Sequence, residues 1–437
     1  METFANAMSD GSGRVLFKKT RNDRSGIGII DKICIFLLAI CPILQNYIGI
    51  INAGVTAFAV VFPYAVVKLL KKRYIPVRCF RIILPLTLFL IYKVIDHGTS
   101  MTEVGHVVFY FVYSLAFCAG VFDSNEFINA ATAVACAASV CIVIQYICYY
   151  VLGFHLQLVP TSLLVSGSSQ WIRLAETGRI SITGRRIAFY RPSAFFLEPS
   201  HMFVYLCAPL VYKLLAAAKT DNKDRKTAIL LSVGMILSTS GMGIIVTVAL
   251  WLLYLAKRGG KDRRLSVAKL LQPKNILLLV SITTVLLILY FRVDFFHRSV
   301  ARIFSSGTDY RNAVSSRVDA GGAFIGQMRG KQLLIGISDH YSDVDFHMTG
   351  FNATMYKFGI IGTLLSYLFY IRCLRELKDA YFWLALILIG VSFFTPHTHG
   401  TFYMLFFIIF LLSGFNKKTE AALTAEQENT ANQTMTV

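Results

Sequence analysis

The stretch Thr227–Ala256, TAILLSVGMILSTSGMGIIVTVALWLLYLA, decides how this chain is threaded. A basic run, Lys219–Lys226, precedes it, and a second basic run starts at Lys257. Lys and Arg beside apolar runs mark the cytoplasmic side of a membrane. The stretch therefore begins and ends on the same side, and it must cross an even number of times. Ser238–Gly243 (STSGMG) supplies the bend. The reading is two short helices; one long tilted helix is the alternative, and it would invert everything downstream.

Composition agrees that a membrane is involved. Of 437 residues, 55% are hydrophobic and only 15% charged, with a mean hydropathy of +0.59. Those values exclude a soluble surface. The apolar residues gather into runs of about 15 to 25, the length that carries an α-helix across roughly 30 Å of hydrocarbon. The net charge of +19 would suggest nucleic acid in a soluble chain. Here most of it lies in short loops beside apolar runs, so no nucleic-acid partner is expected.

The resulting fold class is an all-α polytopic membrane protein with about twelve helices and two long extracytoplasmic loops. Residues 1–32 form a basic cytoplasmic tail, read as neither a signal peptide nor a cleaved segment. Residues 33–154 hold helices one to five, and 155–200 the first long external loop. Residues 201–293 hold helices six to nine, 294–350 the second long loop, and 351–415 helices ten to twelve. Residues 416–437, rich in Thr, Ala, Gln and Asn, form a disordered cytoplasmic tail. The nine cysteines lie in or beside apolar runs without CxxC spacing, and they read as small helix-packing residues.

This threading sorts the cations by type. Eleven arginines but only three lysines (Lys93, Lys331 and Lys357) fall outside. Headgroup anchoring is indifferent to which cation is used, whereas bidentate recognition of phosphate favours the guanidinium fork. The first loop holds Arg173, Arg179, Arg185, Arg186 and Arg191, and the second holds Arg311 and Arg317 among others. The alternative is that long loops carry arginine for solubility. All nine histidines also map outside, which suits acid–base chemistry there, or simply reflects the length of those loops.

Two local patterns bear on chemistry. The run Asp339-His340-x-x-Asp343-x-Asp345-x-His347 contains metal-type ligands, but it reads as a solvated loop with one working histidine, and no metal or other cofactor is assigned. The segment Tyr190–His201, YRPSAFFLEPSH, enters the membrane at the end of the first long loop. Capping preferences explain Pro199 and Ser200. They do not explain why Arg191, Glu198 and His201 should converge at the outer edge.

At these residues the sequence resembles the Wzy-type polymerases of O-antigen and capsular polysaccharide, relatives of the O-antigen ligases. An arginine followed by aromatics and then Glu-Pro-Ser-His is matched by Arg191–His201. Leu237–Gly243 resembles the family's Ser-rich turn between two helices, without the arginine often found there. Phe351–Gly362, FNATMYKFGIIG, resembles the helix after the second long loop. The His-Asn pair that precedes it in the ligase branch is absent, and His347 is the nearest histidine.

The resemblance implies a GT-C-like fold in the bacterial cytoplasmic (inner) membrane, with the site facing the periplasm or exterior. The implied substrate is an undecaprenyl-diphosphate-linked oligosaccharide, and the implied reaction is a polymerising glycosyl transfer that needs neither metal nor nucleotide. Partners would be membrane lipids and the chain-length regulator and flippase of the same pathway. On this reading Arg191, Arg311 and Arg317, supported by Arg185 and Arg186, hold the diphosphate, and Arg173 and Tyr190 also contact substrate. Glu198 and His347 are the candidate bases, and His201 orients Glu198. An O-antigen ligase acting on lipid A–core, a flippase or transporter of the lipid-linked sugar, and a non-enzymatic scaffold are the alternatives.

Overall fold

A computed structural model describes residues 27–45, 47, 52–72, 77–97, 101–163, 172, 174, 176–181, 188–215, 222–257, 273–292, 297, 313–337, 348–395 and 402–415. Among these, helices fall on every apolar run. They are α1 (Ile29–Leu44), α2 (Ala53–Lys72), α3 (Val77–His97), α4 (Met101–Cys118), α5 (Ser124–Tyr150), α6 (Pro199–Leu215), α7 (Asn222–Leu237), α8 (Gly241–Lys257) and α9 (Pro273–Arg292). Two helices of the second long loop follow, α10 (Ala313–Gln327) and α11 (Lys331–Ile335), and then α12 (Gly350–Glu376), α13 (Asp379–Phe394) and α14 (Phe402–Phe415).

The stretch that opened the sequence reading is two helices. α7 stops at Leu237, residues Ser238–Ser240 turn, and α8 folds back so that Trp251 Nε1 donates to Ser232 Oγ at 2.9 Å. The turn is self-supporting: Ser238 Oγ donates to the Met235 carbonyl at 2.7 Å, and the Ser240 N–H donates to Ser238 Oγ at 3.4 Å. Such local side-chain bonds offer the backbone an alternative to continuing the helix.

Two helices form the middle of the molecule. Every residue from 201 to 211 in α6 and from 402 to 415 in α14 is buried, as expected for helices that are apolar all round. Tyr205 stacks on Phe406 at 4.7 Å, Phe406 meets Phe127 of α5 at 5.7 Å, and the Tyr403 hydroxyl donates to the His201 carbonyl at 3.0 Å. α5, α7, α8 and α13 pack around α6. α5 begins where the Asp123 carboxylate accepts from the N–H groups of Asn125 and Glu126, a standard N-cap. α5 and α7 touch at Gly234, where a Cβ would overlap Ser139.

The outer helices expose large apolar side chains, among them Ile33, Val60, Ile95, Ile147, Phe291 and Leu364. A water-facing surface does not carry so much exposed apolar area. α2, α5 and α12 are each long and apolar enough to cross a bilayer. This is a helical membrane protein. Among the described residues no cysteine forms a disulfide, and Cys34, Cys41, Cys118, Cys148, Cys207 and Cys373 are buried.

The first long loop contains a short hairpin. Strands β1 (Arg179–Ser181) and β2 (Ala188–Tyr190) form an antiparallel hairpin with Arg179 opposite Tyr190. Short strands of three residues carry too little periodic pattern to be read from sequence. Residues 1–26, the C-terminal tail 416–437 and the run Asp339–His347 lie outside the described residues, whereas residues 29–32, assigned to the N-terminal tail, open α1.

Candidate functional site

The hairpin delivers the candidate segment. After β2 the Arg191 N–H donates to the Gly178 carbonyl at 2.6 Å, which holds the chain beside β1 for one more residue. Gly178 has φ +63, and a Cβ there would overlap the rings of Tyr190 and His155, so only glycine suits this position. Tyr190 is 2% exposed. Its ring lies flat on Tyr149 with centroids 3.8 Å apart and meets Tyr146 edge-on at 5.5 Å. Its hydroxyl donates to the Gln145 carbonyl at 3.1 Å and sits 3.0 Å from His155 Nδ1. Burial pushes the Tyr190 phenol well above the ordinary tyrosine range.

Gln145 is the hub beneath the segment. Its Oε1 accepts from the Ala194 N–H at 2.9 Å, and its Nε2 donates to the Leu156 carbonyl at 2.9 Å. Ser193 Oγ donates to the Phe196 carbonyl at 2.6 Å, which closes the turn, while the Tyr47 hydroxyl donates to the Phe195 carbonyl at 3.0 Å. The chain then enters α6 at Pro199, where proline suits the first helical position, immediately after Glu198.

Arg191 is 7% exposed, and its Nε donates to Thr239 Oγ1 at 3.4 Å. Thr239 is in the turn between α7 and α8. Two segments far apart in sequence, Arg191–His201 and Leu237–Gly243, thus meet in space. Both contacting turns are strained: Ala194 has φ 53 and Thr239 has φ 54. A β-branched residue at positive φ is a genuine outlier, and such strain costs on the order of 1–3 kcal/mol. Backbone outliers of this kind gather at functional sites.

Glu198 is partly buried, and its charge reaches both His201 and Tyr403. His201 is buried on the first turn of α6, its ring centroid 6.0 Å from that of Tyr403. A carboxylate and an imidazole are set at the start of the central helix, and the segment that leads into it carries the guanidinium of Arg191. Such an arrangement can hold an anion and accept a proton.

The other predicted site residues are not brought to this point by anything described. Arg317 lies on α10. Arg173, Arg185, Arg186, Arg311 and His347 lie outside the described residues. The third motif-like segment, Phe351–Gly362, lies in α12, which packs on α13, which in turn packs on α6. Sequence reasoning missed Gln145, Thr239 and the Tyr146–Tyr149 pair. Gln145 left one signal, as the lone amide in the apolar run CIVIQYICYY.

No protein-family model matches the sequence, and no curated protein matches it either.

Proposed function

We propose that the protein is a polysaccharide polymerase of the inner membrane. It transfers a growing glycan from undecaprenyl diphosphate onto a lipid-linked repeat unit at the outer face. In this reading all twelve apolar helices cross the membrane, and residues 155–200 and 294–350 face the periplasm or exterior. The observation that carries the reading is the buried Arg191 resting on Thr239, which joins the two segments that resemble the Wzy-type family.

The chemistry follows from the donor. A hydroxyl of the acceptor sugar attacks the anomeric carbon, a new C–O bond forms, and the bond from that carbon to the diphosphate oxygen breaks. The electron pair leaves with undecaprenyl diphosphate, and the hydroxyl proton passes to a base. The glycosyl–diphosphate bond is already activated, so no nucleotide is required. Charge grows on the departing diphosphate, and fixed cations stabilise it. Arg191 fills that role, with Arg311 and Arg317 from the second loop, and Arg185, Arg186 and Arg173 in support. Glu198 is the base at the mouth of α6, His201 orients it, and His347 is the second candidate base.

The test is complementation of a polymerase-deficient strain, read as glycan laddering. Glu198→Ala, Arg191→Ala and Arg311→Ala should each abolish ladders while the protein still reaches the membrane. Full laddering by all three would end the assignment.

A further inference from the structure

A second buried cation, unused in the chemistry above, sits at a break in α12. Gly359 has φ 61 and ψ −167, so the helix stops being helical there. A break frees carbonyls one turn earlier, and in a membrane protein those must find donors elsewhere. The Ile337 N–H donates to the Tyr356 carbonyl at 2.9 Å. Lys93 of α3 donates to the Lys357 carbonyl, and to the Ile337 carbonyl at 3.2 Å. Its Nζ lies 4.9 Å from the Phe358 ring centroid, and the residue is 8% exposed.

The fit around the break is tight. A Cβ at Gly336 (φ +85) would overlap the Lys357 carbonyl, and one at Gly359 would overlap the backbone of Leu334–Gly336. α11 is thus wedged into the break, and a second pair, Lys331 with Asp96, ties it to α3. The outer half of α12, Gly350–Phe358, also grips α10. Asn352 Nδ2 donates to the Val318 carbonyl at 3.4 Å, and a Cβ at Gly321 would overlap the Asn352 side chain. Arg317 precedes Gly321 by one helical turn on α10.

We infer that Lys93 is a positioning residue: by capping the broken end of α12 it sets where the outer half-helix, and with it the Arg317-bearing α10, stands relative to the Arg191 turn. The inference rests on the polymerase reading for its catalytic consequence, though not for its geometry. A buried ammonium between backbone carbonyls has no reason to persist in an apolar cluster unless those carbonyls need it.

The experiment has two arms on the full-length protein. In the first, a Phe324→Cys/Tyr356→Cys pair, at positions whose rings lie 6.1 Å apart across α10 and α12, is bridged in membranes with a short bifunctional thiol reagent. The cross-link should form readily with Lys93 present and several-fold less with Lys93→Met, because loss of the cap lets α10 drift from α12. In the second, turnover of a lipid-linked repeat unit is measured on purified protein. Lys93→Met should lower kcat by on the order of ten- to a hundred-fold, the usual consequence of misplacing a catalytic group by about 1 Å. Lys93→Arg, which can still donate to both carbonyls, should recover most of that loss. Unchanged cross-linking in Lys93→Met overturns the inference. So does a kcat loss that matches the loss of folded protein and that Lys93→Arg does not restore. If the unmodified protein lengthens nothing, the polymerase reading fails, and the cross-linking arm still decides the role of Lys93.

Discussion

Arg191 is the side chain on which most depends. Its guanidinium is buried, and the bond from Nε to Thr239 helps fix the direction of the fork. Arg191→Ala should remove about 3–4 kcal/mol of transition-state stabilisation, a rate loss on the order of 10²–10³ in an extension assay. Arg191→Lys should recover little, because a point charge on a flexible stem lacks the fork; near-normal rates with lysine would show that only charge matters. Thr239 makes a separate test, of stored strain. Thr239→Gly deletes more buried atoms than Thr239→Val, yet it should unfold at the higher temperature, because glycine relieves the positive φ. The reverse order would mean that the turn is unstrained. Tyr190 supplies a pH test. Its phenol is held above the ordinary value, so the folded state keeps its proton more tightly than the unfolded chain. Its contribution to stability is complete below about pH 10 and falls as pH rises beyond that. The stability gap between the natural protein and Tyr190→Phe should therefore narrow above that pH, and a gap that widens would contradict the burial. Arg191, Glu198 and His201 could be picked out from sequence because charged groups at a helix entrance stand out from an apolar background. Thr239 could not, since its importance comes from a contact with a residue 48 positions away, and Gln145 stood out only as a lone amide whose partner lies 49 positions away.

The helical elements differ in how plainly they announce themselves. The break between α7 and α8 is visible in sequence because basic residues on both flanks demand it and serines supply the turn. The break in α12 is not, because Lys-Phe-Gly-Ile-Ile-Gly reads as an ordinary apolar helix with small residues. Only the approach of α11 and Lys93 explains it. Two glycine substitutions separate these cases. Gly359→Ala places a side chain at φ 61 against the backbone of α11, and it should destabilise the detergent-solubilised protein by roughly 2–4 kcal/mol. Gly390→Ala in α13, with open space around it, should stabilise by up to about 1 kcal/mol through helix propensity. If thermal unfolding showed equal effects, the break would not be the constrained feature described above. The β1–β2 hairpin escaped notice for a different reason. Its order comes from Tyr190 and Gly178 packing beneath it rather than from a run of strand-forming residues.

For the molecule as a whole, burial separates the helices into a centre and a periphery. α6 and α14 are enclosed by protein, so their 17 and fewer residues need not match a full bilayer, whereas α2, α5 and α12 are long enough to face lipid directly. This ordering was legible only in part. Hydropathy locates the helices, but which ones are central depends on aromatic contacts such as Tyr205 with Phe406. Orientation has its own check in single cysteines at Gly330 and Asn222. An impermeant thiol reagent applied from outside should label position 330 and spare position 222, and the opposite pattern would reverse the threading. The central claim, that a guanidinium-lined outer site joins glycans on a polyprenyl diphosphate, is tested most directly by giving the purified, reconstituted protein lipid-linked repeat units and nothing else. Chains that lengthen without nucleotide, with release of undecaprenyl diphosphate, are the predicted result. Units that stay single while the protein remains folded would contradict it.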